Sequence, residues 1–292
     1  MLTAWLTVGA VTANHSDGSS VSLTDTEFVD GDINHDGKVD VSDLNGLINI
    51  ILGAGTPVQD PELSFTVGGE TFKMMRVGRG TFTMGATPEQ EEPFDQETPA
   101  HCVTLTCDYY IGETEVTQEL WQAVMGNNPS LFEGDNLPVD CVSWIDCQEF
   151  ISKLNQMTGK TFRLPTEAEW EFAARGGNKS NGTQYSGSTN LEEVAWYDGN
   201  SDNKTHPVAT KKPNELGLYD MSGNVLEWCQ DWNGDYSYRT QIDPTGPPTG
   251  SGRVSRGGSW EVSATYCRVA YRENWFPGTR YYTLGFRLVL SE

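Results

Sequence analysis

Apolar residues recur at helical spacing in four stretches of this chain. Leu44, Leu47, Ile48 and Ile51 form one stripe, with Gly53 as its stop. In "EVTQELWQAVMG", Thr117 caps a helix whose apolar face is Leu120, Trp121, Val124 and Met125. "SWIDCQEFISKLNQMTG" predicts a longer helix with Ile145, Phe150, Ile151 and Leu154 inward and Gly159 at its end. "LPTEAEWEFAARGG" opens a short one, with Thr166 as cap and Glu169 closing a capping box. Between them lie short β-like runs, "SFTVGG", "GTFTMG" and "HCVTLTCDYYIG", and beyond them long stretches rich in Gly, Asn, Trp and Tyr. No doubly wound alternation of strand and helix is visible. The pattern predicts an α+β domain with a small twisted sheet and much loop, preceded by a Gly- and Pro-bearing linker, "GAGTPVQDPELS".

The first stripe follows a segment with its own chemistry. "DINHDGKVDVSD" sets Asp32, Asn34, Asp36, Asp40 and Asp43 at positions 1, 3, 5, 9 and 12 of a twelve-residue loop, with Gly37 at the sharp turn and the Lys38 carbonyl at position 7. A hard cation needs six or more oxygens, and this register supplies them, so calcium is expected here. The whole string "GDINHDGKVDVSDLNGLINIILG" resembles one half of a type I dockerin, with Asp closing the loop. Dockerins carry two such repeats and one is present, so a small calcium-stabilised docking or spacer module is expected, with a possible partner for its apolar stripe.

Composition narrows the functions. A formal charge of −22 excludes binding to a phosphate backbone through clustered Lys and Arg, so nucleic acid is not an expected partner. No apolar run reaches the length of about 18 residues that a membrane span requires. "MLTAWLTVGAVTAN" has the apolar stretch and small residues of a secretory signal without its basic start, which leaves a clipped signal or a plain leader open for residues 1–28. Six cysteines are an even number, and Cys102 with Cys107, or Cys141 with Cys147, are near enough in sequence to pair. The four histidines are scattered, no nucleophile elbow appears, and the acid-rich "EQEEPFDQETPAH" reads as a solvated loop. An exported location, secreted, periplasmic or at the cell surface, fits this balance.

The strings "TFTMG", "EVTQELW", "NPSLF", "FRLPTEAEWEFAARGG", "PNELGLYDMSGNVLEWCQDW", "RGGSW", "CRVAYR" and "LGFRL" fall in one order across residues 65–292 and resemble the formylglycine-generating enzyme, or sulfatase-modifying factor, family. The resemblance implies a variant of the C-type-lectin-like fold with little regular secondary structure, after a leader (1–28), a dockerin-like repeat (29–53) and a linker (54–64). It also implies a structural calcium on "YDMSGNVLEW", held by Asp220, the carbonyls of Gly223 and Val225, and Glu227. The active enzymes of that family oxidise a substrate cysteine with copper(I) between two thiolates, which stand at the second and seventh positions after the "GGS" aromatic. Counted from Trp260, these positions hold Val262 and Cys267. One soft ligand is missing, so Cys267, the sole catalytic candidate, is expected to be a small buried scaffold residue, and copper is expected only if the chain is an oxidoreductase after all.

What remains is the segment between the motifs "RGGSW", "CRVAYR" and "LGFRL". Glu261, Ser263, Tyr266, Tyr271, Asn274, Trp275, Phe276, Thr279, Tyr281 and Tyr282 mix large amphipathic rings with adaptable hydrogen-bonding groups, as binding surfaces do. The placement is similar to that in the variable proteins of diversity-generating retroelements, which end in a comparable segment on the same fold. Two readings follow. The first is a non-catalytic binding or display protein that holds a protein or glycan ligand through residues 261–283. The second is an oxidoreductase acting on a sulfatase cysteine or a small thiol.

Overall fold

In the computed structural model, residues 10–14, 20–24 and 60–291 are described, and the chain divides into two units, 1–61 and 62–292. In the first, β1 (Ala10–Asn14) pairs antiparallel with β2 (Ser20–Thr24), so part of the expected leader is strand. The calcium-loop residues Asp32, Asn34, Asp36, Lys38, Asp40 and Asp43, and the apolar stripe after them, lie outside the described residues.

The second unit is an α+β domain, as the mixture of runs predicts. β3 (Glu62–Val67) and β4 (Glu70–Val77) form a hairpin, so residues 62–64, expected as linker, already belong to the sheet. With β7 (Tyr109–Gly112), β14 (Val289–Ser291) and β8 (Phe162–Arg163) they make a five-stranded antiparallel sheet in the order β3-β4-β7-β14-β8. The last strand of the domain is therefore inserted between early ones, which ties the C-terminal segment back to the start. A three-stranded sheet joins β5 (Gly80–Met84), β6 (His101–Leu105) and β10 (Gln241–Ile242). A four-stranded sheet, β12-β11-β9-β13, is built from β9 (Leu226–Trp232), β11 (Arg253–Arg256), β12 (Arg272–Trp275) and β13 (Leu284–Gly285).

The helices are where their caps predict. α1 (Gln118–Met125) begins with the Thr117 hydroxyl accepting from Leu120 N–H, and Gly126 ends it in the left-handed region. α2 (Trp144–Thr158) and α3 (Glu167–Ala174) open with capping boxes at Ser143 and Thr166. Leu120, Trp121, Phe150, Ile151 and Leu154 enter one core with Phe162, Trp228 and Phe286, where the Trp121 and Phe150 rings stack at 5.2 Å. Ile145 is the exception. It is 57% exposed, while Trp144 and Cys147 on either side of it pack into the core, so the inward stripe of the first turn runs through those two positions. A second core gathers around Trp170, Phe172 and Met221. All six cysteines are free thiols, so neither of the expected pairs is bonded.

Candidate functional site

The segment from Arg253 to Leu290 is anchored from below by arginines. Arg268 and Glu97 are both fully buried and meet in a fork of 2.6 and 2.7 Å. Arg272 forks Glu167 at 2.7 Å on both oxygens, and Arg287 forks Glu227 at 2.7 and 2.8 Å. Arg256 pairs with Glu171 and donates to the Ala270 carbonyl at 2.8 Å. Burial alone would push the Glu167 carboxyl up, but Arg272 and Arg256 beside it hold it below its ordinary value. A loop-rich segment has few ladder hydrogen bonds, and these forks do the tethering in their place. Sequence reading missed them. The acid-rich loop expected to be solvated supplies the buried Glu97, and its Phe94 ring packs on Tyr266 and Tyr271 at 5.5 and 5.7 Å. The one available signal was Arg standing inside apolar strings such as "CRVAYR" and "LGFRL".

The thiol sits on this floor. Gly257 and Gly258 have φ of +99° and +75°, and a Cβ on Gly258 would lie 2.6 Å from the Tyr266 carbonyl and 2.9 Å from Cys267 Sγ. The glycine pair thus lets the backbone close over Cys267, which is fully buried. Val262 does come near it. Both belong to an apolar cluster with Tyr185, Leu191, Val194 and Ala195. Burial, and then the charge of Asp198, push the Cys267 thiol up to about 12. Cys229 is buried in the other core, with its thiol likewise raised by burial. Linear copper(I) needs two thiolates, and the residues here offer one inert thiol beside a valine, so they do not fit that ion.

Above the floor the aromatic residues line up. Trp275 stacks on Tyr281 at 5.4 Å, Tyr281 on Tyr282 at 4.1 Å, Tyr282 tilts against Trp260 at 5.7 Å, and Trp260 meets the edge of Phe132 at 5.7 Å. The Tyr281 hydroxyl donates to that of Tyr282 at 2.8 Å, which donates to the exposed Glu261 carboxylate at 2.8 Å. Next to Trp275, Phe276 is 71% exposed, and the Thr279 N–H closes the following turn on its carbonyl. The strip therefore brings together Glu261, Trp275, Tyr281 and Tyr282, with Phe276 and Thr279 at its end. Asn274 is exposed on β12, facing the opposite side from Trp275. Ser263 is exposed at the start of the short turn that carries Tyr266. Tyr271 corrects its expected role: at 6% exposure, packed between Phe94 and Tyr266, it is a core residue rather than a surface contact.

Asp220 and Glu227, expected as calcium ligands, are both buried close to Glu115. Glu227 is already committed, because its two oxygens accept from Arg287 and from Trp170 Nε1 at 2.6 Å. Asp220 accepts from Ala209 N–H at 2.8 Å with one oxygen, while the other is buried with no partner. Gly223 is required where it stands: its φ is +82°, and a Cβ would lie 2.3 Å from the Trp196 carbonyl. Three carboxylates face one guanidinium, and burial with this mutual repulsion pushes Glu115 well up and Asp220 to about 6.

Residues 63–292 match the model of the sulfatase-modifying factor enzyme 1-like domain. The chain belongs to this family. A formylglycine-generating enzyme of Streptomyces coelicolor is 31% identical over 73% of this chain and 87% of its own. Chaperone protein LppX of Paenibacillus barcinonensis is 37% identical over 58% of this chain and 75% of its own. Among solved structures, Treponema denticola variable protein 1 is 40% identical with a TM-score of 0.73, covering 81% of this chain and all of that one. PvdO from Pseudomonas aeruginosa is 26% identical with a TM-score of 0.67, over 80% of this chain and all of that one. The sulfatase-modifying-factor scaffold thus carries both enzymes and a variable protein, and the decision between them falls to the segment just described. No helix among the described residues is long and apolar enough to cross a membrane.

Proposed function

We propose that this protein is an exported, non-catalytic ligand-binding protein, which presents the aromatic strip of residues 261–283 on a sulfatase-modifying-factor scaffold. One observation carries the reading. Where the enzymes of the family place their second thiolate, Val262 packs into the apolar cluster that buries Cys267. Its likeness to a variable protein of Treponema denticola points the same way, and diversification of the strip by a retroelement is part of the proposal. Copper(I) titration in the presence of a cysteine-bearing sulfatase peptide tests it. The expected result is no stoichiometric binding and no oxygen-dependent loss of the peptide thiol; both together would establish the oxidoreductase instead.

Calcium belongs to the proposal at two places. The loop from Asp32 to Asp43 has the ligand spacing and would stabilise a docking module. In the domain, the unpartnered oxygen of Asp220 and the carboxylate surplus around Glu115 favour a cation, with the carbonyls of Gly223 and Val225 as further ligands and Glu227 serving through its charge. Calcium should raise the domain's melting temperature and a chelator lower it, and Asp220→Ala should abolish the domain's share of that shift.

A further inference from the structure

We infer that the partner seated on the strip presents a basic polypeptide segment, with a Lys or Arg side chain against Glu261 and the Tyr282 ring. The inference rests on the ligand-binding reading and adds the chemistry of the ligand. Its ground is the charge balance of the segment itself. Arg256, Arg268, Arg272 and Arg280 are each matched to a carboxylate, on Glu171, Glu97, Glu167 and Asp146. Glu261 and Glu273, the two acids of the same stretch, have no cationic partner among the described residues; the neighbour of Glu261 is the Tyr282 hydroxyl. The four cations between residues 256 and 280 are thus spent on holding the scaffold, Arg253 is taken up between two tryptophan faces, and the exposed charge left over is that of Glu261.

The rings reinforce that sign. The face of a tyrosine or tryptophan carries negative potential and attracts ammonium and guanidinium groups. Tyr282, stacked on Tyr281 on one side, sets its ring beside the exposed carboxylate that accepts from its hydroxyl. The strip is also polar along its length. Beyond Trp275, Arg253 lies between the faces of Trp144 and Trp232 at 4.0 and 3.7 Å and Glu273 on β12 is half-buried, so the exposed carboxylate is Glu261 at the other end. A net charge of −22 over the chain would draw a basic partner toward this surface and repel an acidic one.

A random-peptide phage library panned on the full chain, in parallel with the Trp275→Ser/Tyr282→Ser variant, tests the inference. Enriched peptides are then synthesised, and their Kd measured by calorimetry against the parent protein and Glu261→Gln at low and high salt. Enrichment of Lys- and Arg-rich peptides that depend on the strip, weaken about tenfold or more on Glu261→Gln and lose affinity with salt is the expected result. Strip-dependent peptides that are neutral or acidic, or indifferent to Glu261→Gln, overturn the charge inference and leave the binding surface standing. Peptides that bind the double variant as well as the parent, or no enrichment at all, overturn both. Glu261 is exposed, so an unchanged melting temperature for Glu261→Gln separates lost recognition from lost fold.

Discussion

Replacing Glu97 with Gln is the sharpest test of how the C-terminal segment is held. Glu97 and Arg268 are separated by 171 residues in sequence, both are fully buried, and the two guanidinium nitrogens of the fork each donate to one carboxylate oxygen. Arg268 Nε already lacks a partner. The amide keeps one acceptor, turns a second donor toward the guanidinium and leaves its charge uncompensated in the interior. Breaking a buried pair in this way costs about 3–5 kcal/mol, a large share of the roughly 5–15 kcal/mol that holds a domain together. At about 2–4 °C per kcal/mol for a domain of this size, the melting temperature should fall by roughly 6–20 °C. Urea unfolding followed by tryptophan fluorescence measures the same loss as a lower midpoint at constant slope. The double replacement Glu97→Leu/Arg268→Met, which removes both charges together, should recover most of it. A loss below about 1 kcal/mol for Glu97→Gln, or a double variant as unstable as the single, would refute the view that charge pairing anchors the segment.

Other perturbations separate floor from surface. Phe276→Ser, at a side chain 71% exposed, should change stability by less than about 0.5 kcal/mol, whereas Tyr271→Ala, 6% exposed, should cost about 3–5 kcal/mol; chemical denaturation distinguishes them. Under native conditions a disulfide reagent should modify Cys102 and Cys107, which are exposed, and leave Cys267 untouched until the domain unfolds. Asp140 gives a pH dependence. Burial pushes its carboxyl from 3.8 up to about 6, so the folded state holds its proton more tightly than the unfolded state does. Its contribution is therefore most favourable below pH 4 and falls as pH rises from about 4 to 6. Asp140→Asn should accordingly raise stability by about 2–3 kcal/mol at pH 8 and by little at pH 3.5, as read from urea midpoints across pH. Equal gains at both values would show that the carboxyl ionises normally.

Local chemistry accounts for what could be read directly in the chain. A helix start depends on its own cap and next few residues, so Thr117 and Thr166 announce α1 and α3 without help from the rest of the fold, and Ser143, which caps α2 in the same way, carried the same signal unread. The misplacement of Ile145 shows where that stops. Apolar character alone does not fix the face, and in the first turn of α2 Trp144 and Cys147 take the inward positions while Ile145 points out. The absent second thiolate was also legible, as a count from Trp260 to Val262 and Cys267. The arginine forks were not. Glu97 and Arg268, Glu171 and Arg256, and Glu167 and Arg272 join residues 85 to 171 positions apart, and no local pattern records which acid meets which base. For the same reason a run of acids read as solvated turned out to carry a buried anchor.

The division of labour within the segment separates the side chains that fix the main chain from those that do not. Arg256, Arg268, Arg272 and Arg287 reach inward from it at intervals, and each is fixed by a carboxylate that precedes the segment, two of them on α3. Gly257 and Gly258 let the backbone descend onto Cys267, and β14 closes the far end in the five-stranded sheet. These contacts specify the path of the main chain without using the side chains at positions 261, 276 or 282. Substitution at 261 or 276 removes no buried contact of the scaffold, while at 282 it removes a ring packed against the buried Trp260. Tyr271 and Cys267 lie in the same stretch and lack that freedom, because each fills interior volume. Variation tolerated by the fold should therefore concentrate at Glu261, Ser263, Asn274 and Phe276 and skip Cys267, Arg268, Tyr271 and Arg272. A saturation library of residues 261–283, sorted only for folded display, would reveal that alternation directly. A uniform tolerance across the segment, or losses as frequent at 276 as at 271, would mean that the arginine floor does not uncouple the surface from the fold.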